Sequence, residues 1–231
     1  MTEHWLPGSP PVPLTLRRSA RARRMTLRVS QLDGRVTLTL PRGVPLSEAI
    51  GFAQSRNAWI RGHLDAMPKE MRVEPGMEIP YCGDPLRIMT SPHKRPRLAD
   101  GVLLVPGTGS TGPKVQGWLK ARARENLAEA SNRYAAMLGR SYLRMTLRDT
   151  RSRWGSCSSA GALMYSWRLI MAPRDVLEYV AAHEVAHLEE MNHSPAFWSL
   201  VERLYGPWEA PRRWLQDKGN GLHRYRFDGT P

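Results

Sequence analysis

The sequence predicts an α+β protein: a strand-rich N-terminal region, then a C-terminal domain of long helices around a strand pair. Two patterns carry the prediction. Short segments in which apolar and polar residues alternate, the period of a half-buried strand, recur before residue 106. After residue 113 the apolar residues instead return at the three- and four-residue spacing of an amphipathic helix. The chain has 231 residues, 41% of them apolar, which is enough for a sizeable core.

Residues 1–13 are rich in proline and glycine and read as a flexible arm. MTLRVS (25–30) and RVTLTL (35–40) then alternate around Gln31-Leu32-Asp33-Gly34, the pattern of a β-hairpin whose Asp-Gly pair supplies positive φ angles. LSEAIGFAQSRNAWIRGHL places Leu46, Ile50, Ala53, Ile60 and Leu64 at the spacing of one helix. Short strands follow, MEIPY and LRIMT around Cys82-Gly83-Asp84, and VLLV at 102–105, completing a strand-rich region over 14–105. PGTGSTGP (106–113) has the glycine spacing of a phosphate loop. Pro113 before Lys114, and Val115 where a hydroxyl should meet magnesium, break that motif and leave a linker.

The domain over 114–231 opens on a long helix with Val115, Trp118, Leu119, Leu127, Tyr134 and Leu138 on one side, closed by Gly139. LRMTLRDT and ALMYSWRLI then bracket the small polar stretch RSRWGSCSSAG, as two strands joined by a turn. Pro173 begins the next helix, with Asp175 and Glu178 in its first turns, where the helix dipole favours acids.

Cys82 and Cys157 are the only cysteines and are far apart, which excludes a disulfide framework and a four-cysteine metal site. No run of 18 apolar residues exists and the N-terminus lacks the order of a signal peptide, so the simplest expectation is a cytoplasmic protein with no membrane partner. The net charge is +13, and Arg17, Arg18, Arg21, Arg23, Arg24 and Arg28 form a patch with no acid between His4 and Leu32. Such a patch attracts phosphates, so nucleic acid is a candidate partner, although no helix-turn-helix, zinc-finger or RNA-binding signature accompanies it.

The third helix carries HEVAHLEEMNH, residues 183–193. Residues four apart on a helix project side by side, so His183 and His187 can present two nitrogens to one zinc ion. Glu184 is rotated by one position, where it can take a proton from a water that the metal activates. Apolar Val176, Leu177, Val180 and Ala181 bury the preceding turns, and an enclosed histidine pair needs partners. Three imidazoles would suit zinc, but also nickel, iron or copper.

Several side chains could complete the site. Glu202 lies 15 residues after His187 on the next helix. Glu189 and Glu190 stand too close behind His187 to turn back. His193 is favoured, because the spacing predicts a helix stop at Asn192 and a restart at the Ser194-Pro195 cap, with a turn over 190–194 that swings it round. The three histidines match the metzincin ligand spacing, but Glu190 replaces the glycine of that motif and no methionine follows Met191. Cys157 is a weaker candidate as a soft ligand, and Tyr165 and Tyr179 are weak candidates for stabilising an oxyanion. His4, His63, His93 and His223 stand alone.

RSRWGSCSS, SWRLI with the following AP, LEYVAAHEVAHL and NHSPAFW, in this order, resemble the YgjP-like family of zinc-dependent metallopeptidases, more distantly related to SprT-like and WLM proteases. The resemblance is dense from about 145 to 205. It implies a zincin-like domain with His183, His187 and His193 as zinc ligands, Glu184 as catalytic base, and one strand of the 145–170 pair as an edge that holds an extended peptide. Two alternatives stay open. A nucleotide phosphoanhydride hydrolase would use Arg151, Arg153 and Arg168 to clamp phosphates, where a peptidase would bind a peptide carboxylate with them. A nucleic-acid-associated protein would use the zinc site mainly as structure.

Overall fold

The computed structural model describes residues 2–228 except 31, 32 and 68, and only the backbone of residues 2 and 3. The chain forms two compact units that divide between Lys69 and Glu70. Among the described residues no helix is long and apolar enough to cross a membrane.

The first unit is a four-stranded sheet with two helices. Its strands are β1 (Thr2–Leu6), β2 (Val12–Arg18), β3 (Thr26–Val29) and β4 (Val36–Leu40), in the order β1-β2-β4-β3. β2 and β4 run parallel, and the two outer pairs are antiparallel. Alternate residues Val12, Leu14 and Leu16 of β2 and Val36, Leu38 and Leu40 of β4 are buried on one face. They meet Ala49 and Ala53 of α1 (Leu46–Ser55) and Ile60 of α2 (Asn57–Asp65) in one core. The predicted hairpin is present as β3 and β4, with Gly34 at φ 67°, while Gln31 and Leu32 of its turn lie outside the described residues.

Two expectations for this unit are corrected. Residues 2–6 of the expected flexible arm pair with β2 as an antiparallel strand, and Leu6 is fully buried, so the prolines only punctuate the connection. The single helix over 46–64 is two helices broken at Arg56, whose φ of −103° leaves the helical region, and Leu46 is exposed rather than buried.

The second unit begins with β5 (Met71–Arg72), β6 (Glu78–Tyr81), β7 (Asp84–Ser91), β8 (Arg97–Ala99) and β9 (Val102–Pro106). The last four form a sheet in the order β6-β7-β9-β8. Cys82 and Gly83, at φ 53° and 91°, make the two-residue left-handed turn of its first hairpin, and Gly83 packs against Pro173 with no room for a Cβ. α3 (Thr111–Leu138) follows, ended by Gly139 in the left-handed conformation.

Residues 106–113 are therefore not a linker between domains. Pro106 closes β9, Thr111 opens α3, and Lys114 donates to the carbonyls of Pro106 and Gly109 at 3.1 and 3.2 Å. Ile79, Leu86, Ile88, Leu103 and Val105 of the sheet share one core with Val115, Leu119 and Leu127 of α3 and with the C-terminal helices. That shared burial moves the boundary from 106–113 back to residues 69 and 70.

The remaining elements are β10 (Arg144–Arg148), β11 (Gly155–Cys157), β12 (Ala162–Ser166), α4 (Arg174–Ala186), α5 (Pro195–Tyr205), α6 (Glu209–Asp217) and β13 (Tyr225–Arg226), which pairs with β5. The expected two-stranded pair over 145–170 is a three-stranded sheet, β10-β12-β11. β10 is parallel to β12, so the polar stretch between them must cross over, and part of it becomes β11, an edge strand antiparallel to β12. Gly161, at φ 73°, closes the β11–β12 turn, its N–H donating to the Ser158 carbonyl at 2.8 Å.

Candidate active site

α4 is held in the core by Val176, Leu177, Val180, Ala181 and Val185, all buried, and this fixes what its last turn presents. His183 lies in that turn and His187 caps its end. The helix stops at Ala186, six residues earlier than Asn192, and Leu188, Glu189 and Glu190 continue as tight turns back to Val185 and Ala186. Asn192 does not adopt the left-handed conformation expected of it. Its Oδ1 accepts from the Ser194 N–H at 3.1 Å and shapes the turn instead. Ser194 caps α5 as predicted, accepting from the Phe197 N–H at 3.4 Å, with Pro195 in the first turn.

This path returns His193 to α4. One nitrogen from each of His183, His187 and His193 lies within 4.8 Å of the others, the one such group among the described residues with three possible ligands. Nε2 of His193 is 3.1 Å from Nε2 of His183. Nitrogens bound tetrahedrally to zinc at the usual ~2.0–2.1 Å stand about 3.3 Å apart, so the spacing suits the ion. Nδ1 of His187 is 2.8 Å from the Glu190 carbonyl, which fixes the proton there and leaves Nε2 with a free lone pair. Burial, then the His187, His193 and Arg212 charges, push His183 down to about 3, and burial also lowers His187. Both rings are neutral at pH 7, the form that ligates a metal.

An aromatic bed orients the rings. Phe197 stacks on His187 with centroids 4.5 Å apart and meets His183 edge-on at 4.9 Å. Trp198 lies nearly parallel to His193 at 5.7 Å, and is itself stacked on Trp208 at 4.2 Å beneath the Arg212 guanidinium. Phe197 and Trp198 read as packing residues from the sequence alone. Their role here is to pack against the histidines.

Glu184 is 5% exposed. Burial raises its carboxyl to about 8, partly opposed by the charge of Arg153. Among the described residues no protein group donates a hydrogen bond to that carboxyl, an arrangement that costs stability and occurs where a side chain has a task. Gly155 of β11 lies directly against it: a Cβ at residue 155 would sit 2.5 Å from Glu184 Oε1 and 2.7 Å from Cδ. Gly155, Arg153, Ser156 and Cys157 on one side, with Glu184 and the three histidines on the other, line one open cleft of about 460 Å³.

The other candidates separate clearly. Of the three arginines, only Arg153 lines the cleft; Arg151 is exposed outside it. Arg168 is a buried structural residue. Its guanidinium pairs with Asp149 through Nε at 2.7 Å and Nη2 at 3.2 Å, and Nη1 donates to the Leu222 and Tyr225 carbonyls at 2.9 and 3.1 Å. Burial alone would raise the Asp149 carboxyl, but the hydrogen bond and charge of Arg168 outweigh it and hold it below its ordinary value. Glu202 is exposed on α5 and outside the histidine group, and Glu189 instead faces Arg140 at 3.7 Å.

Tyr165 is fully buried and bonded to Ser131 at 3.0 Å. Tyr179 reaches His183 Nδ1 only at 3.5 Å, and burial pushes its hydroxyl up to about 12. Burial and the Glu184 charge push the Cys157 thiol up to about 11, so it is protonated and a poor ligand at neutral pH.

A family model described as YgjP-like, metallopeptidase domain matches residues 23–218, a span that includes parts of both units. Comparisons with curated proteins and with solved structures each return no match. The chain therefore belongs to the YgjP-like metallopeptidase domain family.

Proposed function

We propose that the chain is a zinc-dependent peptidase in which His183, His187 and His193 hold one ion and Glu184 is the general base. The observation that carries this is the placement of Glu184: buried, without a protein donor, and opening into the same cleft as the three histidines. A structural zinc site needs no such carboxyl, and leaving one unpaired would only destabilise the fold.

Zinc held there would supply Lewis acidity, making water nucleophilic near neutral pH and polarising the scissile carbonyl. The rest falls to the chain. Among the described residues β11 has one edge unpaired, and its backbone N–H and C=O groups can hold an extended peptide across the cleft by strand addition. Gly155 lets that strand approach Glu184 closely. Burial keeps Glu184 protonated, and a cation held by the neighbouring histidines would oppose this and favour the carboxylate. Glu184 then takes the proton of the attacking water as the C–O bond forms, and delivers it to the amine nitrogen as the C–N bond breaks. Arg153 is placed to pair with a carboxylate of the peptide.

The clamp of three arginines needed for nucleotide phosphoanhydride hydrolysis is reduced to Arg153, because Arg168 is committed to Asp149 and Arg151 does not line the cleft. The test is a panel of unfolded proteins, DNA-bound proteins and nucleoside triphosphates, each incubated with zinc-loaded and chelated protein. New peptide N-termini with zinc alone are expected. Turnover confined to triphosphates would overturn the peptidase reading.

A further inference from the structure

Within the Met1–Lys69 unit a second open cleft of about 370 Å³ lies between the β3 edge of the sheet and the two helices. Arg24, Met25 and Leu27 line it from the strand side, and Phe52, Arg56 and Trp59 from the helices. Its composition is unusual for a surface groove. Trp59 is 44% exposed, and its ring is braced from within the helix by His63, with centroids 4.2 Å apart. The Arg56 guanidinium sits 5.9 Å from the Phe52 ring. Trp59 is not a lone exposed residue: with Met25, Leu27 and Phe52 it makes a contiguous apolar lining rimmed by Arg24 and Arg56, the make-up of a surface that binds a ligand.

The arginines of this unit divide by what they do. Arg18 donates to the carbonyls of Arg42 and Val44 at 2.7 and 2.9 Å, Arg61 donates to those of Pro7 and Pro10, and Arg35 pairs with Asp33. These hold the fold together. Arg24 and Arg56 are exposed at the cleft with no acidic partner among the described residues, and Arg21, Arg23 and Arg28 are exposed nearby in sequence. Positive charge alone would suit any polyanion. Two free guanidinium groups beside an open indole suit a ligand that alternates phosphates with flat aromatic faces. In a duplex those faces are stacked on one another and hidden, whereas a single strand offers them.

We propose that this cleft binds single-stranded nucleic acid, with a base stacked on Trp59 and flanking phosphates held by Arg24 and Arg56. The binding is independent of the metal centre and of the hydrolytic reading. DNA and RNA share the chemistry that it recognises.

The test is fluorescence anisotropy of the full chain with labelled oligo(dT), oligo(U), a duplex of equal length and an abasic oligomer, over a range of salt. Single strands are expected to bind at least about tenfold tighter than the duplex. Trp59→Ala should lose roughly tenfold on oligo(dT), within the range for one base stacked on an aromatic ring, and nothing on the abasic oligomer. Trp59→Phe, which keeps an aromatic face, should retain most of the affinity and so separates lost stacking from a lost fold. The Arg24→Ala/Arg56→Ala double variant should lower the salt dependence by about 1.4, roughly 0.7 for each phosphate contact removed. Preference for one sugar over the other would assign the source as DNA or RNA. Equal affinity for single strand, duplex and abasic oligomer, or wild-type binding by Trp59→Ala, would overturn the proposal.

Discussion

Replacing Gly155 with alanine adds one methyl group at the tightest point of the cleft. The new carbon would stand 2.5, 2.6 and 2.7 Å from Oε1, Cγ and Cδ of Glu184, about 1 Å inside ordinary contact. Either β11 or the Glu184 side chain must move, and Glu184 has little freedom because it is 5% exposed among packed neighbours. Overpacking of this kind costs about 1–3 kcal/mol. The three atoms nearest to the added carbon all belong to Glu184, so metal content should stay at the wild-type value. A displacement of about 1 Å at a catalytic group costs on the order of a hundredfold in rate. Turnover number measured on zinc-loaded Gly155→Ala should therefore fall by about that factor, with the metal-to-protein ratio unchanged. Wild-type turnover in this variant would refute the placement of Glu184 at the reacting centre.

Three further perturbations test other parts of the site. His193→Ala should weaken zinc binding by more than the roughly 10–100-fold typical of losing only an outer hydrogen-bond partner, as read by competition with a chelating dye. Wild-type affinity would remove His193 from the ligand set. In the metal-free protein, the Glu184 pKa of about 8 lies above its ordinary 4.5, so its contribution to stability is complete below pH 4.5 and is lost as pH rises through 8. Glu184→Gln lacks this dependence and should gain on wild type by up to roughly 3–5 kcal/mol between those limits in urea unfolding; parallel stability curves would contradict the burial argument. Arg168→Ala should cost about 3 kcal/mol, because it leaves the buried Leu222 and Tyr225 carbonyls without their donor, the solvent-exposed Asp149 adding little, while the KM of the folded enzyme stays unchanged. A raised KM would return Arg168 to the substrate.

The histidine-glutamate cluster was legible because its chemistry is local: helical spacing places His183 beside His187, and the Ser194-Pro195 cap forces the turn that brings back His193. The mechanism of that turn was not, since it depends on side-chain bonds, from His187 to the Glu190 carbonyl and from the Ser194 N–H to Asn192 Oδ1, rather than on the backbone of Asn192. β11 was hidden because three residues of small and polar type carry no strand period, and only pairing with β12 makes them a strand. Arg168 looked like a substrate-binding cation because sequence gives no sign of Asp149 beside it, 19 residues earlier. The boundary between units was misplaced for a related reason. Glycine, serine and proline at 106–113 imitate a linker, whereas the apolar faces of β7, β9 and α3 that settle the matter meet only in the folded core.

In the proposed mechanism Glu184 performs the proton transfer beside a metal held by three histidines. The most direct test measures metal content and turnover of Glu184→Gln alongside wild type, on whichever substrate the panel identifies. One zinc per chain is expected in both proteins, and a turnover in the variant lower by at least about a hundredfold, the lower end for loss of a general base. Full metal content with unchanged turnover would contradict that mechanism.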